Sequence, residues 1–334
     1  MSEKPANRAR VAVIYNPAAG ARQRGRLRRL LRRLRQEGHE VLVRRTEGPG
    51  DATRIAASLM PADVDVVLAA GGDGTINEVA NGLIDRPLPL AIAPLGTANV
   101  LAWELGHGLT ISGAARTVGR GHIVRIRPAL AGERGFLLMA SAGIDARVVA
   151  GVNSALKRRI GKLAYALVAF REILRPSSRR IELDIDGRVE HAALAVVTHA
   201  AHYAGPFVIA PDARLGDDHL SVVLVRDGRR VALLRCGLAL LLNRIPRQAE
   251  VEILQARHVR FLGPPGEPVQ SDGDVIGHMP MGVRVGDGEL ALIVADPTRV
   301  LGEQAGGPAV GQAGGPAPAR DYREAGALTQ EARY

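Results

Sequence analysis

Hydrophobic and polar positions change their rhythm once along this chain, near residue 123. Before that point, short apolar runs alternate with stretches whose apolar residues recur every three or four positions. That alternation predicts strand–helix units and a parallel sheet covered on both faces. The predicted strands are 11–15, 41–45, 64–70 and 88–93, and the helical patterns between and after them are 21–37, 51–59, 75–82 and 97–105. In the first helix Leu27, Leu30, Leu31 and Leu34 share one face, while Arg22, Arg24, Arg28, Arg32 and Arg35 lie between them. The arginine-rich side reads first as a solvated surface and second as one that rests on anionic headgroups.

Beyond residue 123 the period becomes two, with turn signals between runs, as expected of an antiparallel sheet or sandwich. Runs 181–185 and 189–197 flank Asp186-Gly187, a pair that readily takes the positive backbone angles of a tight hairpin. Further strands are expected at 251–262, 283–285 and 289–294, and helices at 160–174 and 230–242. After Asp296 the chain turns to Gly, Ala and Pro, and from Gly302 it reads as a flexible tail. The expected organisation is a doubly wound α/β nucleotide-binding domain over 1–125, an antiparallel β-sandwich over 126–300 and a disordered tail over 301–334.

Composition narrows the function classes. The 334 residues are 46% hydrophobic and 23% charged, enough for two ordinary cores. The most apolar stretch, around 231–242, is broken by Arg235 and is too short to cross a bilayer. The polar opening lacks a secretory pattern, and Cys236 is the only cysteine, which excludes an internal disulfide or a cysteine-based zinc site. The expected location is cytoplasmic. A net charge of +10 favours anionic partners, but only 3% of residues are aromatic, too few for base-stacking platforms. Nucleic acid is therefore not the expected partner, and an anionic membrane surface, met peripherally, is. The spacing of His199 and His202, with His191 and His219 nearby, gives no closed metal-ligand set.

The strongest chemical signal is Gly71-Gly72-Asp73-Gly74-Thr75, between an apolar strand and a helical pattern. Glycines there let main-chain N–H groups approach a phosphate, and the helix N-terminus adds favourable potential. Asp73 would repel a triphosphate unless a cation intervened, which implies Mg²⁺. Asn16-Pro17-Ala18-Ala19-Gly20 and Gly96-Thr97-Ala98-Asn99 follow strands in the same way, so three loops should meet at the carboxyl edge of the sheet. No Walker-type lysine loop and no Gly-x-Gly-x-x-Gly opening occurs.

These motifs, continued by Thr46, Asn77-Glu78-Val79-x-Asn81-Gly82, Gly143-x-Asp145-Ala146, Pro211-x-Ala213, Asp217 and Asp272-Gly273-Asp274, resemble the diacylglycerol kinase catalytic-domain family. The resemblance spans about residues 11–295. It implies a soluble ATP-dependent lipid kinase with its site between the two domains. ATP would contact Asn16, Pro17, Ala18, Ala19, Gly20, Thr46, Gly71, Gly72, Asp73, Gly74, Thr75, Ile76, Asn77 and Thr97. Arg214 and His219, through main-chain oxygens, and Asp217 would hold a structural Mg²⁺. Asp73 and Asp145 would organise the catalytic metal, and Asp274 would accept the proton of the lipid hydroxyl. Asp274 stands where the family has glutamate, so its reach is shorter and Asp272 could take over. Val100 stands where many relatives have aspartate. The stretches 156–174 and 231–242 offer material for a lipid cavity, though core is their commoner use. An NAD-kinase-like enzyme and a non-catalytic sensor are the competing readings, and a homodimer is left open.

Overall fold

The computed structural model describes residues 8–17, 21–106, 110–152, 163–174, 180–302 and 311–312. In chain order the first unit runs β1 (Arg10–Tyr15), α1 (Ala21–Gln36), β2 (Glu40–Arg45), α2 (Asp51–Ser58), β3 (Val66–Gly71), α3 (Asp73–Leu83), β4 (Leu90–Pro94), α4 (Val100–Glu104), α5 (Ile111–Arg120) and β5 (His122–Ile126). Strands β1 to β4 are parallel in the order β2-β1-β3-β4. Val11, Val13, Leu30, Leu34 and Leu68 fill one side of the sheet, under α1 and α5. Ala12, Ile14, Val67, Ile76 and Val79 fill the other. Both faces of β3 are thus buried, which is why its sequence is a continuous apolar run rather than an alternation.

The chain then forms β6 (Ala129–Ala131), β7 (Arg134–Phe136), β8 (Met139–Gly143), α6 (Ile144–Gly151) and α7 (Leu163–Leu174). Strands β9 (Ile181–Ile185), β10 (Arg188–Ala192), β11 (Leu194–Thr198), β12 (His202–Tyr203), β13 (Phe207–Val208) and β14 (Leu220–Val225) precede α8 (Arg230–Leu241). Strands β15 (Val251–Ala256), β16 (His258–Gly263), β17 (Pro268–Ser271), β18 (Asp274–His278), β19 (Met281–Val285) and β20 (Leu290–Val294) follow, then α9 (Thr298–Leu301) and β21 (Gly311–Gln312). Two six-stranded antiparallel sheets result, ordered β10-β9-β16-β19-β6-β7 and β15-β14-β11-β8-β17-β18. Phe136, Leu183, Leu224 and Phe261 are buried between them, the layered core of a sandwich.

Three expectations are corrected. The run 189–197 is two strands, because the chain leaves one sheet at Ala192 and enters the other at Leu194, with the Ala193 N–H bonded to the Val225 carbonyl. The run 251–262 divides in the same way at Arg257. Strand β20, expected in the sandwich, instead returns to the first sheet, parallel to β4 and antiparallel to β5. Its five residues are all buried, as a central strand requires. Of the expected tail, Gly311–Gln312 pairs with β5 at the edge of that sheet, and 303–310 and 313–334 lie outside the described residues. One apolar core joins the units: Ile76 and Leu101 belong to the same cluster as Leu138, Val223, Leu233 and Ile245.

Candidate active site

Strand β3 delivers Gly71 and Gly72 to the carboxyl edge of the sheet, and α3 starts at Asp73. Main chains here lie too close for side chains. A Cβ on Gly96 would fall 2.4 Å from the Gly72 Cα, and one on Gly71 would fall 2.6 Å from the Thr75 Cβ. The N–H groups of Leu95 and Gly96 both donate to the Gly71 carbonyl. Asn99, buried in the left-handed region at φ 49°, brackets Gly96 with its amide, accepting the Gly96 N–H at 2.8 Å and donating to its carbonyl at 2.9 Å.

Asp73 closes this loop pair. Its Oδ1 accepts the Leu101 N–H at 3.1 Å, at the start of α4. Burial nevertheless lifts the Asp73 carboxyl above the ordinary carboxylate range, against the opposing pull of the Leu101, Val100 and Asn99 main chain. The third loop arrives through Asn16, whose Nδ2 donates to Thr75 Oγ1 at 3.3 Å. Thr46 is buried and its N–H donates to the Tyr15 carbonyl, while Thr97 is exposed at the mouth. Ala18, Ala19 and Gly20 lie outside the described residues. The side chain of Ile76 is core and its N–H is spent on the Gly72 carbonyl.

Asn77 reaches toward the sandwich. Its Nδ2 donates to the Gly135 carbonyl of β7 at 3.2 Å, and Asn81, one helical turn on, donates to the same oxygen at 2.9 Å and accepts the Gly135 N–H at 3.0 Å. This clamp ties α3 to the sandwich. The residues just after β7 then hold Asp272, which accepts the N–H groups of Leu137, Leu138 and Met139 at 3.1, 3.2 and 2.9 Å. Asp272 and Gly273 take φ 48° and 89°, the positive angles of a tight hairpin between β17 and β18. Burial pushes the Asp272 carboxyl up to about 7, Asp73 adds like-charge repulsion, and the three N–H groups only partly offset both.

Two residues further on, Asp274 reaches over the glycine turn. A Cβ on Gly74 would lie 3.5 Å from Asp274 Oδ2, and Arg134 of β7 stands 3.6 Å from the same oxygen. Asp73, Gly74, Asp272 and Asp274 are thus brought together from both halves of the chain. Asp145 belongs to a different network. Its carboxylate accepts from Ser141, from Tyr203 and, at 2.9 Å, from Gln270, and burial beside it drives the Tyr203 hydroxyl well above its ordinary pKa. Gln270 in turn accepts the Gly273 N–H at 3.0 Å, so the network braces the hairpin from behind. Val100 is core.

The Arg214–His219 segment is closed by its own bonds: Asp217 Oδ2 accepts the Arg214 N–H at 2.8 Å and lies 4.0 Å from the His219 ring. Burial raises the Asp217 carboxyl. His199 is buried with its pKa lowered to about 4, and His202 pairs with Glu104 at 2.7 Å. No group of three or more metal-ligating side chains occurs among the described residues. Sequence reasoning missed Gln270, Arg134, Gly135 and the clamp role of Asn77 and Asn81. The four-residue spacing of those asparagines on one helix face was the available signal.

Comparison with known proteins agrees with this architecture. The model of the diacylglycerol kinase catalytic domain matches residues 10–131, and that of the YegS C-terminal NAD kinase beta sandwich-like domain matches 139–294. A diacylglycerol kinase of Staphylococcus aureus (strain bovine RF122 / ET3-1) is 33% identical over 231 residues, which are 68% of this chain and 73% of that protein. The chain belongs to the diacylglycerol kinase catalytic-domain family. The kinase is also 32% identical to a diacylglycerol kinase of Staphylococcus saprophyticus over 68% of its own length and 76% of the relative's. A crystal structure of a diacylglycerol kinase from Bacillus anthracis str. Sterne superposes with a TM-score of 0.69 at 23% identity, covering 87% of this chain and 98% of that one. At that identity the superposition shows that the fold is shared. Family membership makes this protein a lipid kinase.

Proposed function

We propose that this kinase transfers the γ-phosphoryl group of ATP to a hydroxyl of a diacylglycerol-like or sphingoid lipid. The observation that carries the reading is the placement of the Asp272–Asp274 hairpin of the sandwich directly over the Gly71–Gly74 turn of the first sheet. A glycine turn at a helix N-terminus suits phosphate, and a carboxylate facing it suits an attacking hydroxyl. Residues 16–20, Thr46, Gly71 to Thr75 and Thr97 would meet the nucleotide through main-chain groups and small side chains. Asn77 would act from behind, through the clamp.

Asp272 is the better-supported proton acceptor. Its carboxyl is partly buried, held in one orientation by three N–H groups and pushed up to about 7, close to the pH at which it must work. Asp274, exposed and beside Arg134, would position the acceptor. Two partly buried carboxylates, the Asp73 charge opposing ionisation of Asp272, are a fitting partner for a divalent cation, and Asp73 would hold Mg²⁺, which supplies charge neutralisation on the transferring group. A structural Mg²⁺ on Asp217 with main-chain oxygens of Arg214 and His219 would compete with the His219 ring for that carboxylate.

The test is direct. Purified protein with γ-labelled ATP, assayed against diacylglycerol, sphingosine, ceramide, phosphatidylglycerol and NAD, should label one or more lipids resolved by thin-layer chromatography. Label in NAD alone, or ATP bound without any transfer, would refute the lipid-kinase reading.

A further inference from the structure

Helix α8 is built inside out. Its inward face carries Ala232, Leu233, Cys236 and Ala239, mostly small side chains that let the helix lie close to the body. Its outward face carries Val231, Leu234, Leu238 and Leu241, continued by Leu242 at its C-terminal cap, each between 45% and 70% exposed. Those positions recur at intervals of three and four, so they form one continuous stripe. A surface helix of a soluble protein ordinarily places charge there. On α7, which packs beside α8, Leu167, Phe170 and Leu174 are exposed as well. An apolar patch of this extent marks an interaction surface.

Charge identifies the occupant. Arg230, Arg244 and Arg247 are exposed around the ends of the stripe, and no carboxylate among the described residues pairs with them. The nearby acids are already committed: Asp227 is paired with Arg229 at 2.6 Å and Glu250 with Arg235 at 2.7 Å. A leucine face rimmed by uncompensated arginines matches apolar chains beneath anionic headgroups. A second copy of this face would set the same arginines against each other.

The face also connects to the site. Helix α8 packs on β13, which pairs with β12, and β12 packs on α4, whose first turn donates to Asp73. We propose that the outer face of α8, extended by α7, is the surface on which this kinase docks onto an anionic bilayer, with its leucines inserted among the acyl chains. The proposal rests on the lipid-kinase reading only for its purpose, since docking itself needs no turnover.

The experiment is sedimentation with vesicles of phosphatidylglycerol and phosphatidylcholine, without ATP, alongside turnover on lipid in detergent micelles. Leu238→Glu/Leu241→Glu should lower vesicle affinity at least about 30-fold. It should leave micellar turnover, helix content and the melting temperature near wild type. Arg244→Gln/Arg247→Gln should lower affinity about threefold to tenfold, and more at low salt than at high. If the glutamate pair disturbs folding, Leu238→Gln, a milder change at the same exposed position, should still weaken binding. Unchanged vesicle binding by folded variants would overturn the proposal. So would a wild-type dimer that the substitutions split into monomers binding vesicles as before. Loss of micellar turnover with intact docking would speak against the kinase reading instead.

Discussion

Two hairpins of the sandwich have the same turn and different surroundings. Asp186-Gly187 joins β9 to β10 with φ 48° and 86°, and Asp272-Gly273 joins β17 to β18 with φ 48° and 89°. In both, the aspartate accepts N–H groups from a neighbouring segment: Arg257 and His258 at 3.0 and 2.9 Å for Asp186, and Leu137 to Met139 for Asp272. Asp186 does this in the open, 45% exposed beside His258. Asp272 does it under the first sheet, opposite Asp73, and burial lifts its carboxyl to about 7. Turn chemistry is therefore local, while the raised carboxyl comes from what the fold lays over the turn.

The comparison breaks most sharply at Asp73, because Asp272 has that carboxylate opposite it and Asp186 has the His258 ring at 3.8 Å. Asp73→Asn keeps an oxygen to accept the Leu101 N–H but removes the charge, so the loops should stay folded while turnover falls about 10³-fold. Circular dichroism and initial rates at saturating ATP check both halves. Wild-type rates in a folded variant would remove Asp73 from metal binding.

The clamp that holds the Asp272 hairpin in place should matter less, but measurably. Asn81→Ala strands the Gly135 N–H and weakens the hold on its carbonyl. The expected cost is about 2 kcal/mol in urea unfolding, with turnover down about tenfold as the hairpin loses its seat over Gly74. An Asn81→Ala protein as stable and as fast as wild type would show that the two halves do not need this contact. The smallest effect is expected at Asp274. Its carboxylate is 59% exposed, so Asp274→Glu, which lengthens the reach, should hold turnover within about twofold. A large loss would mean that the shorter side chain is itself part of the geometry.

Much of the first sheet was legible because parallel strands buried on both faces announce themselves as unbroken apolar runs. The glycine turn was legible because three glycines and an aspartate between a strand and a helix have few other uses. Corners were not. Nothing in the apolar character of Ala192-Ala193-Leu194 changes where the chain passes from one sheet to the other, since both strands bury side chains in the same sandwich. The return of Leu290–Val294 to the first sheet is a long-range pairing with Leu90 and His122 to Ile126, and strand sequence carries no address. The site was half legible for the same reason. Asp272 meets its N–H partners across more than 130 residues, so its surroundings, on which the proposal of Asp272 as the base rests, had no local signature.

Turnover of Asp272→Asn and Asp186→Asn, measured side by side on the same lipid and ATP, separates an active-site hairpin from a structural one. Both substitutions leave the turn and one acceptor oxygen in place. Loss of a general base predicts a fall of about 10² to 10⁴-fold for Asp272→Asn with the KM for ATP little changed, and a change within about twofold for Asp186→Asn. Equal effects at the two hairpins, or wild-type turnover in a folded Asp272→Asn protein, would contradict it.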